Sequence, residues 1–349
     1  GTPATVEAFT TARVLAQQCQ DLAGELRAVS GLMTVNLSCG NYQEALEQSL
    51  DFDRLGMHGD PTLSLSTQRL RVLAQHFTGD QTAARRDAEQ VIQRLAQSGH
   101  LSRFSHGFGV QYDQSVAALT VLARILWLQG FAEKARRTAD LALQIALQIN
   151  HGISICYTLA LSGCVIAHYN GDHSRARERL ELLKHQAKKH SVMLFHDWAS
   201  HYARAFDDET LEASSTHAGL IQDIVVTLRI DCVNQAQVER ARNGAAGWCS
   251  AEILRADAEA LLAQNDPALE RCAEEQLLSA LTVARRQNAL AWELRSAMSL
   301  ARLWQRRGMD HAAQDLLGPV YRRFSEGFDT PDLQQAGALL QKLARRLGP

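Results

Sequence analysis

The chain has 349 residues, 46% hydrophobic and 21% charged, a balance that suits a folded protein with an ample core and excludes a disordered chain. Lys and Arg number 36 against 38 Asp and Glu, and the resulting charge of −2 excludes a dominant electrostatic pull toward nucleic acid or anionic lipid. No apolar run approaches the roughly 20 residues of a membrane span, and the start lacks the basic-then-apolar order of a secretory signal, so the chain reads as cytoplasmic and makes no membrane or direct nucleic-acid contact.

In chain order, apolar periodicity predicts one or two helices over 5–38, then helices over 42–57, 62–77, 81–98, 111–129, 132–149, 152–169, 173–189, 192–206, 209–227, 233–242, 247–264, 268–287, 290–307, 309–325 and 331–346. Only 6 prolines interrupt them, as expected of long helices joined by short turns. The last helix has the clearest start: Thr330 as a capping hydroxyl, Pro331 at the first helical position and Asp332 at the positive helix end. Two stretches fit the pattern least, 99–110 and 207–246. Long connections of this kind tend to carry function.

A repeat runs through the helices. A glycine is followed five positions later by an alanine at Gly40/Ala45, Gly79/Ala84, Gly130/Ala135, Gly171/Ala176 and Gly308/Ala313. Glycine can end a helix in the left-handed conformation, and a small alanine on the next helix lets two antiparallel axes approach closely. This is the pattern of tetratricopeptide repeats, with an ideal period of about 34 residues; here the first spacings are 39, 51 and 41, so the repeats are longer and degenerate. The expected fold is therefore all-α, a tetratricopeptide-like superhelix of helical hairpins (an α-solenoid) over 1–349, with 99–110 as the loop joining sub-arrays 1–98 and 111–349.

Trp292 to Trp304, Leu316 to Tyr321 and Phe324-Ser325-Glu326-Gly327-Phe328-Asp329-Thr330-Pro331-Asp332-Leu333 resemble the C-terminal end of large bacterial predicted ATPases of the signal-transduction type. Phe108 to Gln114, Tyr169 to Asp172 and Ala245 to Glu252 strengthen the likeness, which runs from about residue 20 to the end. Members of that family carry a winged-helix DNA-binding or nucleotide-cyclase domain, an NTPase core and then a tetratricopeptide-like region. The resemblance implies a sensory or partner-holding role for the C-terminal region. No Gly-x-x-x-x-Gly-Lys-Ser/Thr loop and no winged-helix segment occurs in this sequence, so ATP and DNA binding are not carried over to these residues. The chain also begins without methionine, and is expected to be a piece of a longer regulator whose NTPase and DNA-binding modules lie upstream.

No His-Glu-x-x-His, Gly-x-Ser-x-Gly or glycine-rich dinucleotide loop is present, so no catalytic residue and no cofactor is expected. His185, His190, His196 and His201 are five or six residues apart, which points neighbours to different helix faces, and no metal site is expected. The seven cysteines include no Cys-x-x-Cys pair and read as buried, reduced thiols. The basic pairs, such as Arg285-Arg286 and Arg306-Arg307, read as solvated helix faces. The candidate ligand-binding set gathers around the long connections: Arg103, Phe108, Tyr112 and Asp113, with Tyr157, Trp198 and Trp248. Aromatics lining a superhelical groove would stack an apolar ligand while Asp113 or Arg103 orients it; alternatively, Phe108 and Tyr112 plug a gap between repeats. The functional reading is thus a sensor of a small-molecule effector. A scaffold that holds a peptide or forms a homodimer is the alternative.

Overall fold

The computed structural model describes residues 3–56, 61–98, 112–206 and 219–347. The expected loop 99–110, with Arg103 and Phe108, lies outside the described residues. Among the described residues the chain is all-helical: α1 (Pro3–Gln18), α2 (Leu22–Cys39), α3 (Tyr42–Gly56), α4 (Pro61–Thr78), α5 (Gln81–Ser98), α6 (Gln114–Leu128), α7 (Ala132–Gln148), α8 (Gly152–Thr158), α9 (Cys164–Tyr169), α10 (His173–Lys189), α11 (Met193–Phe206), α12 (Leu220–Leu228), α13 (Gln235–Arg242), α14 (Ser250–Leu262), α15 (Pro267–Arg286), α16 (Leu290–Arg306), α17 (Asp310–Tyr321) and α18 (Pro331–Leu347). The apolar stretch 5–38 divides into two helices at Asp21, whose carboxylate accepts the Gly24 N–H and caps α2. The expected helix 209–227 is described only from Leu220.

Successive helices pack as neighbours from α1 through α12, with α8 and α9 parts of one continuous helix, and from α13 through α18. Each of the five repeat glycines has a positive φ, between +75° and +102°, and each alanine five residues on is buried. The small side chains draw the paired helices together, and larger residues such as Met33, Phe77, Trp127 and Leu161 fill the space beside them. One core runs from α2 to α16, and a second fills the space among α14 to α18.

The glycine turns also meet distant parts of the chain. A Cβ at Gly40 would strike Arg240, one at Gly79 Gln287, one at Gly130 Leu290 and Phe324, and one at Gly171 Pro331. The later helices therefore lean on the turn ends of the earlier ones, in chain order. The 324–332 stretch serves this junction: Glu326 accepts the Lys134 N–H at 2.9 Å, Gly327 sits against Ala132, and Asp332 pairs with Arg295 at 2.8 Å. The Thr330 hydroxyl, expected to cap α18, instead donates to the Gly327 carbonyl at 2.7 Å and tightens that turn.

Helix 152–169 is continuous but contains a π turn over Leu159–Gly163. It is long and apolar enough to cross a membrane by composition, yet 89% of it is buried in the protein, where it is a core element. Widening one turn leaves carbonyls without their usual amide partners. Neighbouring side chains add hydrogen bonds to carbonyls of this turn: Tyr202 donates to Ala160 at 2.7 Å, Arg124 to Leu161 at 2.8 Å and Arg179 to Gly163 at 3.2 Å. Of the cysteines, Cys156, Cys164 and Cys249 are buried as expected, whereas Cys19 and Cys272 are exposed because they fall on the solvent faces of their helical segments.

Candidate ligand-binding cavity

A cavity of about 100 Å³ lies where α2, α4, the π-containing helix, α11 and the start of α12 converge. Most of its wall is apolar: Met33 and Leu37 from α2, Leu70, Leu73 and Phe77 from α4, Leu161, then Phe195 and Trp198 from α11. The helix pattern explains the lining. On α4, Leu65, Arg69, Val72 and His76 fall at i, i+4, i+7 and i+11, so one buried face carries two polar side chains among the apolar ones.

Arg69 is 6% exposed and faces this cavity. Its Nε donates to Gln114 Oε1 at 2.6 Å, and among the described residues no carboxylate lies within ion-pair distance of its guanidinium. Burial lowers its pKa from the ordinary arginine value, the opposing influence coming from Tyr157 and Tyr112. A guanidinium remains charged in such surroundings, so the wall carries a positive charge that no carboxylate among the described residues compensates. Tyr157, 5% exposed, lines the same space, and its hydroxyl has no hydrogen-bond partner among the described residues. Burial pushes that hydroxyl up to about 12, against the pull of Arg69 and Arg124, and so keeps it a proton donor. The Gln114 side-chain amide nitrogen is likewise buried and without a partner among the described residues.

A second buried arginine stands behind the wall. Arg124 donates from Nε to His76 Nε2 at 3.0 Å and from Nη1 to the Leu161 carbonyl, and it lies 4.4 Å from the Trp248 ring centroid. Burial, reinforced by Arg124, holds His76 down to about 3, so its imidazole is neutral and its Nε2 accepts. The side chain of Leu161 lines the cavity while its carbonyl holds Arg124, which joins the cavity wall to the Trp248 layer.

Of the sequence-predicted residues, Tyr112, Tyr157 and Trp198 come together: all three line the cavity, and Tyr112 and Tyr157 pack with ring centroids 4.3 Å apart. Asp113 is elsewhere employed. Its carboxylate accepts the Val116 N–H at 3.0 Å and caps α6, while its own N–H donates to Ser154 Oγ at 2.9 Å. Trp248 lies outside the lining, packed on Phe77 at 6.1 Å and on Trp292 at 6.5 Å. The charged side chain on the cavity wall is therefore Arg69, not Asp113. Comparison of the chain with protein-family models and with curated proteins finds no match. Among the described residues, no three His, Cys, Asp or Glu side chains gather as a metal would require.

Sequence reasoning missed Arg69, His76 and Arg124. The signal was their place in the helical period: each shares a face with apolar residues, where a solvated side chain has no reason to sit.

Proposed function

We propose that this chain is a tetratricopeptide-like helical superhelix acting as the ligand-sensing portion of a bacterial transcription regulator. Its role in this reading is binding, in the cytoplasm, without catalysis or a cofactor. The NTPase and winged-helix modules of the parent protein rest on the resemblance that runs from about residue 20 to the end and is most specific over 324–333. The observation that carries the sensor reading is the partly enclosed apolar cavity whose wall includes Arg69, which has no carboxylate partner among the described residues, and Tyr157, whose buried hydroxyl has no hydrogen-bond partner among them. Binding sites combine such apolar walls with a few convergent polar groups, whereas a plug between repeats leaves no reason for a buried charge. The cavity wall is made by helices distant in sequence, so a ligand favouring one arrangement of them shifts the population toward it.

Native mass spectrometry of the purified chain, compared with the same sample denatured, tests the reading. A small organic mass that is retained natively and lost on denaturation supports the sensor. A clean mass on a defined dimer, with no response to any small molecule, overturns it in favour of an interaction scaffold.

A further inference from the structure

We propose that the cavity ligand is a small monocarboxylate with an apolar body, its carboxylate held by Arg69 and Tyr157 and its hydrocarbon part lying among Leu73, Leu161 and Trp198. This rests on the sensor reading and adds the chemistry of what is sensed.

Three observations set the class. The first is charge. Arg69 is almost wholly buried without a carboxylate, and Arg124, also buried, lies close enough for both to act on Tyr157. Among the described residues, neither arginine has an ion-pair partner. A buried charge of this kind is strongly unfavourable unless something neutralises it, and a ligand anion does so. The second is the donor set. With Nε engaged by Gln114, the terminal guanidinium nitrogens remain to meet the two oxygens of a planar carboxylate, and the Tyr157 hydroxyl adds a third donor. A single wall arginine in apolar surroundings favours a singly charged, weakly hydrated anion over a phosphate carrying two charges. The third is size. An apolar cavity of about 150 Å³ takes one benzene ring, so a space of about 100 Å³ takes a slightly smaller apolar group, with the rest of the ligand toward the mouth.

The test is calorimetric titration of the full chain with hexanoate and benzoate, and with hexanamide and benzamide as neutral counterparts of the same shape. The expected result is binding of at least one acid, with its amide at least tenfold weaker. Arg69→Met is expected to abolish the preference for the acid, and Tyr157→Phe to weaken acid binding about tenfold while leaving amide binding unchanged. Two further readings separate a ligand contact from a structural prop. Arg69→Met removes an uncompensated charge, so its ligand-free melting temperature is expected to equal or exceed that of the unaltered chain; a prop would lose stability. Arg69→Lys keeps the charge and is expected to keep part of the acid preference, which guards against a folding failure of the first variant. Acid and amide binding equally well overturns the carboxylate assignment and leaves the sensor reading standing. An acid preference that survives in a folded Arg69→Met variant also overturns it. No binding of either acid up to about 10 mM, weaker than the lowest useful affinity class, overturns the assignment; if the amides also fail and no mass is retained natively, the sensor reading falls with it.

Discussion

The buried node that ties α12 and α13 to the first glycine turn gives the sharpest test of how the later helices are held against that turn. Asp223 is fully buried. Arg240 Nη1 lies 3.0 Å from each of its carboxylate oxygens, Tyr42 Oη donates to Oδ2 at 2.7 Å, and Arg240 Nη2 donates to the Gly40 carbonyl at 2.6 Å. Replacing Arg240 by methionine keeps the stem volume but leaves a buried carboxylate without its cation, which costs about 3–5 kcal/mol. The cost depends on pH. Burial already pushes the Asp223 carboxyl above the ordinary carboxylate value, and without Arg240 the folded protein must keep it protonated. A carboxyl whose folded pKa is raised loses stability as pH rises past its unfolded value, so Arg240→Met is more damaging at pH 8 than at pH 5. Asp223→Asn on the Arg240→Met background removes the stranded charge while retaining an acceptor for Tyr42. It is expected to recover more than half of the loss at pH 8. Urea unfolding followed by tryptophan fluorescence at both pH values measures all of this. A loss under about 1 kcal/mol at both pH values, well below the range for a broken buried pair, refutes the reasoning, as does a double variant no more stable than Arg240→Met alone.

Three further outcomes follow from the geometry. Gly171→Ala and Gly308→Ala impose the same backbone strain, since their φ values are +78° and +75°, but only the first drives a Cβ into Pro331; Gly308→Ala is expected to cost about 1–2 kcal/mol and Gly171→Ala about 1–3 kcal/mol more, and equal losses in urea unfolding would remove the docking role of the turns. His76, held neutral at about 3 in the fold, takes up a proton on unfolding below its ordinary value of about 6.5. Stability is therefore complete above that pH and falls toward pH 3, by up to about 1.4 kcal/mol per pH unit from this residue. His76→Gln is expected to flatten the slope between pH 6.5 and 4.5 without abolishing it, because burial also lowers His168, to about 4; an unchanged slope in pH-dependent thermal melts would show that His76 protonates in the folded state. Tyr202→Phe strips the Ala160 carbonyl of its hydrogen bond and is expected to cost about 1–3 kcal/mol, with amide exchange quickening along 159–163; a loss near zero would mean that the π turn does not need that donor.

The glycine turns between packed helices are legible because their cause is local. A glycine that must take a positive φ and an alanine that must be small five residues later are constraints within one turn, so Gly40/Ala45 and Gly130/Ala135 could be read without knowing anything else in the fold. What those turns rest against could not. The partner of Gly79 is Gln287 and that of Gly171 is Pro331, and no periodicity in either segment names the other. The same limit explains Thr330: its spacing to Pro331 signals a helix start, but the Gly327 carbonyl that claims its hydroxyl belongs to a turn whose shape is fixed by docking on Ala132.

The cavity was legible by half, and the missing half follows a rule. Tyr112, Tyr157 and Trp198 were found because aromatic residues near a break in the pattern attract attention whichever way they point. Arg69 stands in Arg69-Leu70-Arg71, where sequence adjacency alone does not tell a buried cation from an exposed one. The helical period separates them: Arg71, two residues on, leaves the face of Leu65 and Val72 and pairs with Asp53 at 2.6 Å, whereas Arg69 stays on that face and pairs with no acid among the described residues. Asp113 lies outside the cavity lining for the converse reason. An acid just before an apolar helix is first a candidate for the free amides of that helix, and the Val116 N–H claims it before any ligand can. A charge is informative about function when its position in the period buries it and no local backbone group accounts for it, a condition that Arg69 meets and Asp113 does not.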